Sequence, residues 1–126
     1  MEVTQTEHEA IVRNEERLFV GTFHWQEDRN FEINKAHGFE EDADFNFGEK
    51  IALAHGELSE ALEYYRKGNG PSDHIPEFSG IEEEFADTII RIMNIAKRLK
   101  LRVPEAMLAK QKFNAARPFK HGGKKC

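Results

Sequence analysis

The sequence predicts an all-α protein, an antiparallel helical bundle of the four-helix type completed by oligomerisation. Three observations carry this expectation. Apolar residues recur at helical spacing through two segments of about twenty residues. Both segments open on residue patterns that cap helix N-termini. The connections are short and rich in turn formers, which suits antiparallel neighbours.

Residues 1–30 are expected to be an N-terminal arm of unclear structure. Within it Leu18-Phe19-Val20-Gly21-Thr22-Phe23-His24-Trp25 reads equally as a strand or as an irregular apolar arm. A short helix is expected over about 27–37, stopped by Gly38. Asp42-Ala43-Asp44-Phe45 reads as a loop. Asn46, with Glu49 three residues later, caps a helix over about 47–67, and Gly68 is placed to close it. Gly68-Asn69-Gly70-Pro71-Ser72-Asp73 is a turn-rich connection. Ser79 with Glu82 forms a capping box opening a helix that runs to about residue 100. Pro104 sits where a first helical turn tolerates it, and Pro118 ends the last helix. His121-Gly122-Gly123-Lys124-Lys125-Cys126 reads as a flexible basic tail, so that residues 31–126 make the functional domain.

With 126 residues the chain holds one modest core, or a protomer that finishes its core on a partner. A third of the residues are charged, and no apolar run approaches the roughly twenty residues of a membrane span. The acidic first residues lack the layout of a signal peptide, and the single cysteine, Cys126, cannot form an internal disulfide. A cytoplasmic location and no membrane partner are expected. The net charge of −5 is unevenly spread. Residues 97–126 carry ten Lys or Arg against one acid, Glu105, hence +9; residues 1–96 carry 8 basic against 22 acidic groups, hence −14.

Two acidic pairs hold the chemistry. Glu57-Leu58-Ser59-Glu60 and Glu84-Phe85-Ala86-Asp87 each have i, i+3 spacing on an expected helix, so both members of a pair share a face. Four carboxylates on two neighbouring helices suit a hard cation such as Mg²⁺, with Mn²⁺ as a substitute. On a helical wheel the 47–67 segment has its apolar stripe at Ile51, Ala54, Leu58, Ala61, Leu62 and Tyr65. Glu57 falls inside that arc and Glu60 at its margin. A buried carboxylate requires a counter-charge, either a metal ion or an ordinary ion pair, with Arg91 or Lys110 as the partner. Gly56, in mid-helix, reads as a site of close approach or as a tolerated irregularity.

In the next helix Ile81, Phe85, Thr88, Ile89, Ile92, Ile95, Ala96 and Leu99 are expected to bury one face, and Ala86, Ile90 and Met93 widen it beyond half the circumference. That excess points to several neighbours, another subunit among them. Glu84, Asp87, Arg91, Asn94 and Arg98 lie on the remaining arc, where Asp87 and Arg91 also fit a surface pair. On the last helix Lys110, Asn114 and Arg117 share one side. They read either as snorkelling groups on a wet face or as donors to phosphate oxygens.

These residues resemble the MazG-like all-α NTP pyrophosphohydrolases. The match rests on E-x-x-E followed by E-x-x-D, on Phe47-Gly48-Glu49-Lys50-Ile51-Ala52-Leu53 leading into the first pair, and on Ile81-Glu82-Glu83-Glu84. It rests also on Lys110 and the ending Asn114-Ala115-Ala116-Arg117-Pro118-Phe119-Lys120-His121-Gly122-Gly123-Lys124. It runs from about residue 34 to the end. Asn94 stands where relatives often carry an Asp, and residues 1–30 match no part of the pattern. The resemblance implies Mg²⁺-dependent hydrolysis of a nucleoside triphosphate to the monophosphate and pyrophosphate by a homodimer or homotetramer. It implies metal ligation by Glu57, Glu60, Glu84 and Asp87, and catalysis by Glu57 and Glu60, with Glu60 as general base. Phosphate contacts would come from Lys110, Asn114, Arg117, Lys120 and Lys124, and a base pocket from Phe39, Tyr64 or Trp25.

Other readings fare worse. A di-iron carboxylate bundle needs Glu-x-x-His, and none of the six His has a Glu three residues before it. There is no Gly-Lys-Ser/Thr phosphate loop. The rival from another class is a non-catalytic helical module that binds nucleic acid through the basic C-terminal segment. Its basic residues lack interleaved aromatic rings for base stacking, so nucleic acid is not the expected partner.

Overall fold

A computed structural model describes residues 2–39 and 45–118. Among them are four helices and no strand: α1 (Gln5–Ala36), α2 (Phe47–Arg66), α3 (Gly80–Leu99) and α4 (Val103–Ala115). The expected all-α class is observed. No helix among the described residues is long and apolar enough to cross a membrane. The chain forms two compact units, one from residues 1–25 and 102–126 and the other from 26–101.

α1 corrects the reading of the N-terminal region. The segment 18–25 is neither strand nor irregular arm; it lies within one 32-residue helix that also absorbs the short helix expected at 27–37. Its start is a capping box. Thr4 Oγ1 accepts from the Glu7 amide at 3.1 Å, and Glu7 Oε2 accepts from the Thr4 amide at 2.9 Å. Its end is at Gly38, whose φ of +80° is a conformation that glycine adopts without steric cost.

In the first unit His24 Nε2 lies 3.2 Å from Glu105 Oε1, Lys112 pairs with Glu16, and Pro104 at the start of α4 is fully buried.

The second unit holds the rest of α1 together with α2 and α3. Asn46 caps α2 through the Glu49 amide, and Ser79 and Glu82 form the expected capping box on α3. Gly68, at φ +93°, closes α2. The end of α1 is fastened to α3 by Lys97, whose ammonium donates to Asp28 at 2.6 Å, and by Asn30, which donates to Met93 Sδ at 3.5 Å.

α2 meets α3 along small residues. Ala54 and Ala61 are buried, and Gly80 lies directly against the ring of Tyr64. The expected burial of one broad face of α3 needs correction. Thr88, Ile95 and Ala96 are buried, but Phe85, Ile89, Ile92 and Leu99 remain exposed, as do Leu58, Leu62 and Tyr65 of α2. Glu57, Glu60 and Glu84 come together between the same two helices, while much of the apolar surface of both is exposed.

The loop between α2 and α3 is held at several points. Asn69, at φ +53°, accepts from the Ile81 amide through its side-chain oxygen. The buried Ser72 donates its hydroxyl to Glu83 Oε1 and accepts from the amides of His74 and Ile75. The other Glu83 oxygen faces His74 Nδ1 at 2.8 Å. These bonds fix the first turn of α3, and with it the residue after Glu83.

A candidate metal centre in the seam between α2 and α3

That next residue is Glu84. Its carboxyl enters the seam opposite Glu57 and Glu60 of α2, and one oxygen of each of the three lies within 4.8 Å of the others. Positions 57 and 60 share a face of α2 because they are about one turn apart. Position 84 faces them because the capping box and the Glu83 clasp set where α3 begins.

The three carboxyls differ in environment. Glu84 is 6% exposed and its Oε2 is buried without a hydrogen-bond donor. Burial, reinforced by hydrogen bonding to Glu57 and Glu60 and by their charges, pushes the Glu84 carboxyl up to about 8. For Glu57 burial acts in the same upward direction. Hydrogen bonds from Glu84 and Arg91, with the guanidinium charge, outweigh it and hold Glu57 below the usual range. Arg91 Nε donates to Glu57 Oε1 at 2.8 Å. The ordinary ion pair considered for Glu57 is therefore present, with Arg91 and not Lys110 as its partner. Glu60 is exposed at the rim.

Asp87 stands one turn beyond Glu84, half-buried. Burial, then the charges of Glu57 and Glu83, raise its carboxyl, and Arg91 opposes them. Asp87 and Glu57 share the wall of a cavity of about 410 Å³. Phe39, Phe45, Ile90 and Ile95 supply its apolar lining, while Lys50, Arg91 and Arg98 supply positive charge. The Arg98 guanidinium lies 4.8 Å from the centre of the Phe45 ring. Asn94 also lines the cavity, and its Oδ1 is buried with no donor.

The donor set fits a divalent cation. One oxygen from each of three carboxyls converges, and Glu84 has a buried oxygen without a partner, features that a hard ion can satisfy.

The other expected site residues are placed as follows. Lys110, Asn114 and Arg117 are exposed and belong to the first unit, where Lys110 Nζ sits 4.4 Å and the Arg117 guanidinium 6.0 Å from the centre of the Phe113 ring. Arg117 also donates to Asn114 Oδ1 at 3.4 Å. Lys120 and Lys124 lie outside the described residues, as do Asp42 and Asp44 of the expected loop and the basic tail. Of the three aromatic candidates for a base pocket, Phe39 lines the cavity, Tyr64 is committed to Gly80, and Trp25 is exposed in the first unit.

Sequence reasoning missed the cavity. Lys50, Asn94 and Arg98 lie on the same side of their helices as the acids, a placement the wheel already contained. The sequence places Phe45 only in a loop. Comparison with protein-family models, with curated proteins and with solved structures yields no match to this chain.

Proposed function

We propose that the chain is a Mg²⁺-dependent nucleoside triphosphate pyrophosphohydrolase that releases the monophosphate and pyrophosphate and so acts on the nucleotide pool. The observation that carries this reading is the buried Glu84 carboxyl, facing Glu57 and Glu60 across the seam with an oxygen that no protein group serves. Glu57, Glu60 and Glu84 would hold the ion, with Asp87 as a fourth oxygen donor from the adjacent turn. Mn²⁺ would substitute for Mg²⁺. When bound, such an ion neutralises phosphate oxygens and lowers the pKa of a coordinated water.

The chain's own groups supply the rest. Glu60 is exposed at the rim, where it can accept a proton from an attacking water. Hydrogen bonds from Glu84 and Arg91 hold the Glu57 carboxyl below the usual range against its burial. Lys110, Asn114 and Arg117, with Lys120 and Lys124, are proposed to neutralise the departing pyrophosphate. The exposed apolar faces of α2 and α3 support assembly as a homodimer or homotetramer.

The test is pyrophosphate release from a panel of ribo- and deoxynucleoside triphosphates with Mg²⁺. Wild type is expected to turn over at least one of them, and Glu57→Gln and Glu84→Gln are each expected to lose at least about 100-fold, in keeping with loss of electrostatic stabilisation. Absence of turnover across the panel, together with salt-sensitive oligonucleotide binding that ignores Mg²⁺, would favour the non-catalytic module instead.

A further inference from the structure

We propose that the outward side of α1 is a self-association surface, on which Ile11, Leu18 and Trp25 meet the same three residues of a second copy running antiparallel. The inference rests on the self-association proposed above and adds a separate interface to it. It is independent of the hydrolase reading, because residues 1–30 match no part of the pyrophosphohydrolase pattern.

The inward side of α1 is already used. Glu16, Phe19, Val20, Phe23 and His24 are partly buried, and two of them reach α4: Glu16 pairs with Lys112 and His24 with Glu105. At about 100° per residue, Ile11, Leu18 and Trp25 fall on the opposite side, and each is more than half exposed. They stand seven residues apart. A straight helix drifts by roughly 20° over such a step, and a neighbouring helix that winds gently around it removes the drift. The spacing therefore suits another helix better than a flat surface. One apolar group per two turns is too sparse to make an amphipathic helix, so the row does not stand out in the sequence.

Symmetry and charge name the occupant. The row is symmetric about Leu18, so a two-fold axis there sets Leu18 on its own copy and Ile11 on Trp25. Between the large groups the same side carries Asn14, Gly21 and Thr22. Nothing lies within 4 Å of a Cβ on Gly21, so a partner helix can come close there. One turn beyond each end of the row stands a charge of opposite sign, Glu7 before Ile11 and Arg29 after Trp25. An antiparallel pair sets Glu7 of each copy against Arg29 of the other, whereas a parallel pair sets like charges together. Three apolar layers stop short of the roughly 1,000 Å² that a stable interface clears, so this contact adds to the one on α2 and α3 and does not replace it.

The experiment is disulfide trapping in the full chain carrying Cys126→Ser, under mild oxidation by oxidised glutathione. Leu18→Cys is expected to form a covalent dimer at least about tenfold faster than Glu9→Cys, an exposed position on the other side of the helix that reports random collision. Ile11→Cys alone is expected to fall to the Glu9→Cys rate, whereas Ile11→Cys mixed with Trp25→Cys is expected to pair about as fast as Leu18→Cys. In sedimentation, Leu18→Glu is expected to weaken association about tenfold or more, with the helical circular dichroism unchanged because the position is exposed.

Dimerisation of Leu18→Cys at the Glu9→Cys rate, or unchanged association of Leu18→Glu, would overturn the surface. Self-pairing of Ile11→Cys as fast as that of Leu18→Cys would overturn the antiparallel arrangement. The two interfaces fail separately. Association lost in Phe85→Asp with Ile89→Asp but unchanged in Leu18→Glu sinks only this inference, and the reverse sinks only the α2 and α3 faces.

Discussion

Glu84 and Arg91 set the electrostatics of the seam. In the ion-free protein the Glu84 carboxyl is raised from 4.5 to about 8, so folding takes up a proton between those values. The sign follows from linkage: the stabilisation is complete below the unfolded value and is lost as pH rises through about 8. Thermal melts in EDTA are expected to show a falling midpoint from pH 5 to pH 8.5. A midpoint that rises over this interval would contradict the burial of Glu84. On the proposed reading Mg²⁺ displaces this proton, so addition of Mg²⁺ at pH 7 is expected to release protons. Calorimetric titration in two buffers of different ionisation enthalpy measures that release. Arg91 gives a second prediction. Arg91→Met removes the guanidinium that donates to Glu57 and is expected to cost about 1–3 kcal/mol in urea unfolding, with Arg91→Lys recovering part of the loss.

The helices differ in how much of them the residues announce. α2 and α3 were legible because Asn46, Ser79 and Glu82 cap them and Gly68 stops the first. The inward placement of Glu57 followed from a wheel alone. α1 was not legible, since its charges are spread around the whole circumference and leave no clear apolar stripe. Its segment 18–25 is rich in residues that also favour strands. Thr4 and Glu7 held the missing signal, a capping box that starts the helix. The wheel ranked the faces of α3 by hydropathy, whereas in the fold Gly80 and Glu84 face Tyr64, Glu57 and Glu60 of α2 and the apolar Phe85, Ile89 and Ile92 stay exposed. Two glycines test the packing. A Cβ on Gly80 would fall 2.0 Å from Tyr64 Cδ1, so Gly80→Ala is expected to lose about 1–3 kcal/mol. Nothing lies within 4 Å of a Cβ on Gly56, so Gly56→Ala is expected to gain up to about 1 kcal/mol, which makes this glycine a tolerated irregularity.

The buried apolar residues are few and mostly small: Ala54, Ala61, Met93, Ile95 and Ala96. Larger groups, Phe85, Ile89 and Ile92 of α3 and Leu58, Leu62 and Tyr65 of α2, stay in contact with solvent. At roughly 25 cal/mol per Å² of apolar area, covering such a surface is a strong drive to association. Sedimentation is expected to give a dimer or tetramer at micromolar concentration, and Phe85→Asp with Ile89→Asp is expected to give a monomer. A monomeric wild type would remove this part of the proposal. The charge imbalance between residues 1–96 and 97–126 was readable from composition, but the places of the basic groups in the fold were not, because composition carries no distances.

The clasp of Ser72 and His74 on Glu83 has a consequence for evolution and engineering alike. Adjacent positions on a helix point about 100° apart, so gripping one acid from the loop side dictates the azimuth of the next. Loosening that grip by Ser72→Ala would let α3 rotate and swing Glu84 out of register with its partners, detuning the centre from a residue that never touches it.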